Sequence, residues 1–259
     1  MDRSGKNKVL RRPSTTILII LLLIQICAVI VYAVINSDAV GTTHTTDTCS
    51  GPPPKPIPTI KSRRQVGNII LEHEKLEIGA ELGVYRGDFS LTTLSRWPSC
   101  KKYVLVDLWG HQENYKDNSN LQNEKHSENY RFTMSRLSNY SKVLEVCQNY
   151  TTVCATRYPD NFFDFIYVDA RHDYKGVLVD LHTWWPKLKR GGIIGGHDYV
   201  TQNDGPMQSG QDWTINFDGT RDKLGRAVKG AVDEFASSIC RQVVVTYRDL
   251  HYNTWLIRK

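Results

Sequence analysis

The chain has 259 residues, enough for one α/β domain with a sizeable core plus short extra segments. With 40% hydrophobic and 23% charged residues, the composition is that of a folded protein and excludes a wholly disordered or fibrous chain. The formal net charge of +6 is concentrated at the start, where Arg3, Lys6, Lys8, Arg11 and Arg12 face only Asp2. The remainder is too nearly neutral to imply a nucleic-acid-binding surface.

Residues 1–16 read as a basic cytosolic tail, and Ile17 to Ile35 (ILIILLLIQICAVIVYAVI) as a single transmembrane signal anchor. As a helix this uncharged run reaches ~28 Å, the thickness of a bilayer's hydrocarbon core. The positive-inside rule places the basic tail in the cytosol and the rest of the chain across the membrane. That makes a single-pass type II protein of the secretory pathway, Golgi or endoplasmic reticulum, with a lumenal domain. A cleaved signal peptide is the rival reading, but its apolar region is usually shorter and followed by a small-residue cleavage site. The sequons at Asn139 and Asn149 agree with a lumenal domain and a glycoprotein, and Asn139 is the expected acceptor. Five cysteines follow the anchor. Cys147 and Cys154 could pair in an oxidising lumen or remain buried thiols, and the odd number leaves one cysteine over.

Residues 36–61, rich in Thr, Ser, Gly and Pro, form a stalk, and residues 62–259 form the folded domain. Its apolar runs alternate with amphipathic segments, which predicts an α/β, Rossmann-like, doubly wound and mostly parallel sheet. Helices are expected at 69–76, 88–95 (capped by Asp88), 128–137, 174–185 and 225–237. Strands are expected at 77–82, 103–106, 143–146, 163–168 and 193–195. The segments 243–246 and 254–257 close the sheet as an antiparallel pair. Trp184 and Trp185 lie on an amphipathic helix and read as core. The long polar loop 201–224 reads as a lid over an acceptor, whose deletion would abolish turnover and spare cofactor affinity.

Between the first strand and its helix stands GAELGVYRGDFS, Gly79 to Ser90, with the spacing Glu81-x-Gly83-x-x-x-Gly87. Glycine at 83 lets the backbone turn tightly and approach a ligand, and this crevice at a strand's carboxyl end is where open α/β sheets bind ligands. The three-residue gap departs from the dinucleotide fingerprint. Asp107 closes YVLVD about one βαβ unit later, where a carboxylate can accept ribose hydroxyls. Further on, VDARHDY and GGIIGGHDY put Asp169, His172, His197 and Asp198 at the ends of the fourth and fifth strands, on the same sheet edge as the glycine turn.

These motifs resemble those of the class I S-adenosylmethionine-dependent methyltransferases, in the small-molecule O-methyltransferase branch, over roughly residues 76–259. The resemblance implies that Glu81, Gly83 and Gly87 contact the methionine end of S-adenosylmethionine and Asp107 its ribose, with Cys147 to Asn149 near adenine. It implies Asp169, His197 and Asp198 as candidate ligands for a divalent metal, Mg²⁺ or Mn²⁺. His172 is the candidate general base, and Asp169 a second candidate at the reacting centre. A histidine among the ligands departs from the usual oxygen set and tilts the site away from Mg²⁺. The expected reaction is methyl transfer to a hydroxyl of a small molecule or glycan, by aligning an oxygen with the sulfonium methyl and removing its proton. Two rivals are a type II membrane glycosyltransferase and a non-catalytic binding module on the same fold. The first lacks a D-x-D triplet at Asp160 to Asp164, and cofactor binding without turnover would mark the second.

Overall fold

The computed structural model describes residues 52–204, 209–249 and 252–259. The expected basic tail and anchor, together with residues 36–51 of the stalk, lie outside the described residues. Among the described residues no helix is long and apolar enough to cross a membrane.

The strands are β1 (Ile78–Leu82), β2 (Lys102–Asp107), β3 (Leu144–Gln148), β4 (Phe163–Val168), β5 (Leu188–Gly196), β6 (Val244–Val245) and β7 (Trp255–Arg258). They form one sheet in the order β3-β2-β1-β4-β5-β7-β6. The pairs from β3 to β5 are parallel, and β7 lies antiparallel between β5 and β6. The order reverses between β1 and β4, the switch point where a doubly wound sheet opens a crevice above its strand ends. The helices are α1 (Asp88–Leu94), α2 (Asn123–Arg136), α3 (Thr151–Ala155), α4 (Tyr174–Trp184) and α5 (Ala227–Ser238), preceded by a wide helical turn at Val66–Glu72.

The period-two alternation of β4 divides the core. Ile166 and Val168 join one cluster with Leu181 and Trp184 of α4 and Val232 and Phe235 of α5. Phe165 and Tyr167 point the other way, into a second cluster with Phe89 and Leu94 of α1, Trp97 and the lead-in turn. Both faces of the parallel strands are therefore apolar and both are covered by helices. Trp184 is fully buried, in keeping with the core role expected of it.

Several boundaries differ from the sequence reading, each for a local reason. Ile57 and Ile60 are buried in the second core cluster, so the compact domain begins within what composition marks as stalk. The Gly87 backbone, at φ 71°, rather than the Asp88 side chain, sits at the start of α1, and Asp88 instead pairs with Arg136 of α2 at 2.6 Å. α2 begins five residues earlier than the apolar pattern predicts, because its first turns, Asn123 to Ser127, are mostly polar. The short α3 was not expected at all. It follows β3 directly and is tied to it by the Cys147–Cys154 disulfide. Cys240 is disulfide-bonded as well, and among the described residues Cys100 is the free thiol.

Candidate active site

Two adjoining cavities open along the carboxyl ends of the strands. The larger, about 470 Å³, runs from Asp169 after β4, past Gly83 after β1 and Asp107 at the end of β2, to Asn149–Thr152 after β3. This is a volume suited to a small organic cofactor. The smaller, about 250 Å³, is lined by Arg63, Glu81, Asp117, His172, Asp198 and Trp213 among others. Gly83, Tyr85, Ser119 and Asp169 border both.

Gly83 is fixed by geometry. Its φ is 84°, and a Cβ there would stand 2.0 Å from the Asp169 carbonyl oxygen. The turn after β1 therefore lies directly against the end of β4. Asp107 faces the larger cavity, and its Oδ2 accepts the Val84 and Tyr85 amides at 2.7 and 2.8 Å. Its Oδ1 accepts the Trp109 amide at 2.6 Å. This carboxylate orders the glycine turn besides facing the ribose position expected for it, and some acceptor capacity remains on its oxygens. Glu81 is buried, accepting from Ser90 Oγ at 2.5 Å and Tyr103 Oη at 3.0 Å. Gly87 borders neither cavity. A Cβ there would meet the Thr133 methyl at 3.0 Å, so this glycine serves the turn and the approach of α2.

Burial pushes the Glu81 carboxyl up to about 8, against the two hydroxyl donors that favour its charge. The unfolded carboxyl ionises near its ordinary value, so between roughly pH 4.5 and 8 the folded state binds the extra proton and loses stability as pH rises. Glu81→Gln is therefore expected to raise stability at pH 7.5 by ~1–2 kcal/mol and to flatten the dependence between pH 5 and 8. Thermal unfolding of both proteins across that range checks this, and an equal slope in the variant would contradict it.

At the β4 and β5 ends, Asp169 Oδ1 and Asp198 Oδ2 lie 3.5 and 3.1 Å from His172 Nε2. Ligand atoms of these three residues fall within 4.8 Å of one another. His172 Nδ1 is 3.0 Å from Asp117 Oδ2, and Asp117 also accepts from Trp213 Nε1 at 2.7 Å and Ser119 N at 2.7 Å. Nε2 itself is buried without a well-formed hydrogen bond. Burial disfavours a charged His172, but Asp198 and Asp117 outweigh it and raise the imidazole well above its ordinary value. Asp169 is lowered, since His172, His197 and Arg63 outweigh its burial. Asp198 is held at φ 55°, an uncommon backbone for a non-glycine residue and one that recurs at functional sites.

His197, expected among the metal ligands, is not in the convergent trio. Its Nδ1 lies 3.1 Å from Asp198 Oδ1, while its backbone N–H donates to Val168 and its carbonyl accepts Trp255 Nε1. His172 completes that trio with Asp169 and Asp198. The reason is chain geometry: the positive φ at Asp198 turns the chain between the two residues, and the loop after β4 brings His172 across from the neighbouring strand.

Three residues of the smaller cavity carry no motif. Arg63, before β1, reaches Asp169 at 3.5 Å. Asp117 belongs to the loop between β2 and α2. Trp213 comes from the loop 201–224, whose ring centroid packs 4.4 Å from that of His172. The described part of that loop is tied to the rest of the domain at two points. Asp212 pairs with Lys116 in an isolated bridge, the Phe217 amide donates to Asp173, and Phe217 lines the larger cavity. A Trp in a glycine-punctuated polar loop is the one sequence signal that marks it.

Residues 80–199 match the family described as methyltransferase domain. Among solved structures, an O-methyltransferase family protein from Burkholderia thailandensis is 10% identical with a TM-score of 0.53. The match covers 76% of this chain and 55% of that one. A Staphylococcus aureus protein described as a caffeoyl-CoA O-methyltransferase is 12% identical with a TM-score of 0.51, covering 79% and 86%. No curated protein sequence matches the chain. The matched segment begins within β1, spans the glycine turn and Asp107, and ends just after Asp198. This segment is therefore similar to a methyltransferase domain, carried on the doubly wound sheet described above.

Proposed function

We propose that the protein transfers the methyl group of S-adenosylmethionine to a hydroxyl of a small molecule or glycan, with the cofactor in the larger cavity and the acceptor in the smaller. The observation that carries this reading is the convergence of Asp169, His172 and Asp198 where the two cavities meet. The donor set fits a divalent cation. Nε2 is buried and unsatisfied between two carboxylates, while Asp117 holds the opposite ring nitrogen, as carboxylates behind metal-binding histidines commonly do. A mixed nitrogen and oxygen set favours Mn²⁺ over Mg²⁺. When bound, the ion would lower the pKa of an acceptor hydroxyl and orient its oxygen.

The chain's own groups supply the rest. Gly83 lets the cofactor approach the strand ends, and Asp107 faces the ribose position. Trp213 and Asp117 fix the His172 ring. Without a cation, His172 keeps its proton through Asp198 and Asp117 and is a poor base. With a cation on Nε2 and Asp117 on Nδ1 neither ring nitrogen is free to take a proton, so His172 as base and His172 as ligand are alternatives.

Lumenal placement is part of the same proposal. It is supported by the uncharged run 17–35 after a basic tail and by the Cys147–Cys154 disulfide, a bond typical of oxidising compartments. The exposed Asn139 suits a glycan, whereas Asn149 lines the cofactor cavity and a glycan there would crowd it.

The test is a methyl-transfer assay against panels of hydroxylated small molecules and glycans after chelation, with Mn²⁺ or Mg²⁺ restored. Activity that falls at least ~10-fold on chelation and returns best with Mn²⁺ is expected. Full activity in chelator would remove the metal, and methylation of nitrogen acceptors only would remove the hydroxyl specificity.

A further inference from the structure

Arg171 immediately precedes His172 and borders the larger cavity. Its side chain is 12% exposed, and its guanidinium is engaged on three nitrogens. Nε donates to Asp173 Oδ2 at 2.5 Å, Nη1 to the Glu113 carbonyl at 3.2 Å and Nη2 to the Asn114 carbonyl at 2.9 Å. Its Cζ stands 4.5 Å over the centroid of the Tyr115 ring.

Each partner is itself fixed or fixes something else. Asp173 is fully buried, and its Oδ1 accepts the Gly176 amide at the start of α4 and the Phe217 amide, so the arginine is held from a rigid base. Glu113 and Asn114 belong to the irregular loop between β2 and α2, where Asn114 stands at φ 52°. Carbonyls in such a loop have no strand or helix partner and need a donor from elsewhere. The residues that follow them hold the histidine. Tyr115 Oη donates to the Ala170 carbonyl at 3.1 Å and lies 3.1 Å from His172 Nδ1, and Asp117 Oδ2 lies 3.0 Å from the same nitrogen. The contacts thus close a circuit from Arg171, through residues 113–117, back to the side chain next to it in sequence.

We propose that Arg171 is a positioning residue for the reacting centre: by clamping the Glu113 and Asn114 carbonyls it sets Tyr115 and Asp117 on Nδ1 of His172, and so directs Nε2 between Asp169 and Asp198. This rests on the Asp169, His172 and Asp198 site of the proposed function and adds the group that keeps that site in register. A planar fork reaches two successive carbonyls and a carboxylate at once, which the point charge of a lysine does not. Groups that orient a metal-binding histidine are typically worth ~10–100-fold in metal affinity.

The test is calorimetric titration with Mn²⁺ of the protein saturated with S-adenosylhomocysteine, in the wild type, Arg171→Ala, Arg171→Lys, Asp117→Asn and the double variant of Arg171→Ala with Asp117→Asn. Arg171→Ala is expected to weaken Mn²⁺ binding at least ~10-fold, with affinity for S-adenosylhomocysteine kept within about threefold. Arg171→Lys keeps the charge and loses the fork, and is expected to lose nearly as much. Because Arg171 acts through Asp117, the double variant is expected to bind Mn²⁺ within about threefold of Asp117→Asn alone, whereas a general loosening of the domain would add the two losses. Additive losses, wild-type Mn²⁺ affinity in folded Arg171→Lys, or an equal loss of S-adenosylhomocysteine affinity each overturn the proposal and leave the site itself intact. Should Arg171→Ala not fold, Arg171→Lys takes its place in the cycle. A wild-type protein that binds no Mn²⁺ removes the metal site and the proposal with it.

Discussion

Replacing Asp198 with alanine is expected to lower methyl transfer by at least ~10²-fold while leaving the dissociation constant for S-adenosylhomocysteine within about threefold. The split follows from where Asp198 stands. It lines only the smaller cavity, so the larger one keeps every wall. Within the smaller cavity it is one of the three groups whose ligand atoms converge, and its Oδ2 faces His172 Nε2 at 3.1 Å. Losing it removes both a candidate ligand and the largest influence raising the His172 imidazole. Electrostatic groups fixed at a reacting centre are typically worth ~10²–10³ in turnover. Asp198→Asn separates charge from shape, since the amide preserves size and can accept at one atom only. If Asp198 binds a cation, the asparagine variant loses Mn²⁺ affinity nearly as far as alanine does, measured by calorimetry on the cofactor-loaded protein. Retention of activity within fivefold by both variants would place the reacting centre elsewhere.

The sequence displayed the sheet because most of the parallel strands carry a short apolar run, as strands covered on both faces do. Asp169, His172 and Asp198 were legible for the same reason, since each lies at or just beyond the end of such a run. The residues that complete the site were not. Arg63 reaches Asp169 across 106 positions, and His172 is held by Asp117 from a loop 55 positions earlier. Asp117 in turn is held by Trp213, 96 positions later. No periodic pattern links such residues, because loops are positioned by backbone hydrogen bonds and not by a hydrophobic repeat. Gly87 and His197 show the converse. Each stands in the right word of the sequence. Yet the first is spent on the turn and helix packing, and the second bonds its neighbour Asp198 and stays out of the convergent trio. Spacing identifies which sheet edge a residue reaches. Only φ, ψ and the neighbouring chain decide where its side chain goes.

The larger effect is expected from Gly83→Val, because one backbone position serves both cavities. At φ 84° a β-branched residue is strained whatever surrounds it, and here the added carbon would fall 2.0 Å from the Asp169 carbonyl oxygen. That oxygen belongs to the end of β4, whose Asp169 amide bonds the Leu82 carbonyl at 2.7 Å. Neither side can yield without breaking the pairing of β1 with β4. Relief must push the turn outward, carrying the Val84 and Tyr85 amides off Asp107 and shifting Asp169 relative to His172. Affinity for S-adenosylhomocysteine is expected to fall at least ~10²-fold, turnover to become undetectable, and stability to drop by ~2–4 kcal/mol in denaturant titration. Gly87→Asn is the contrasting change. Asparagine tolerates a positive φ, and its Cβ would meet side-chain atoms alone, the Thr133 methyl at 3.0 Å and Leu137 Cδ1 at 3.4 Å, so cofactor affinity should stay within about threefold. Equal losses from the two substitutions would mean that the turn acts by general destabilisation. A Gly83→Val protein that binds the cofactor normally would mean that the cofactor lies away from the β1 turn. The predicted contrast requires that Gly83 form the shared wall between cofactor and acceptor, with Gly87 one turn behind it holding the helix in place.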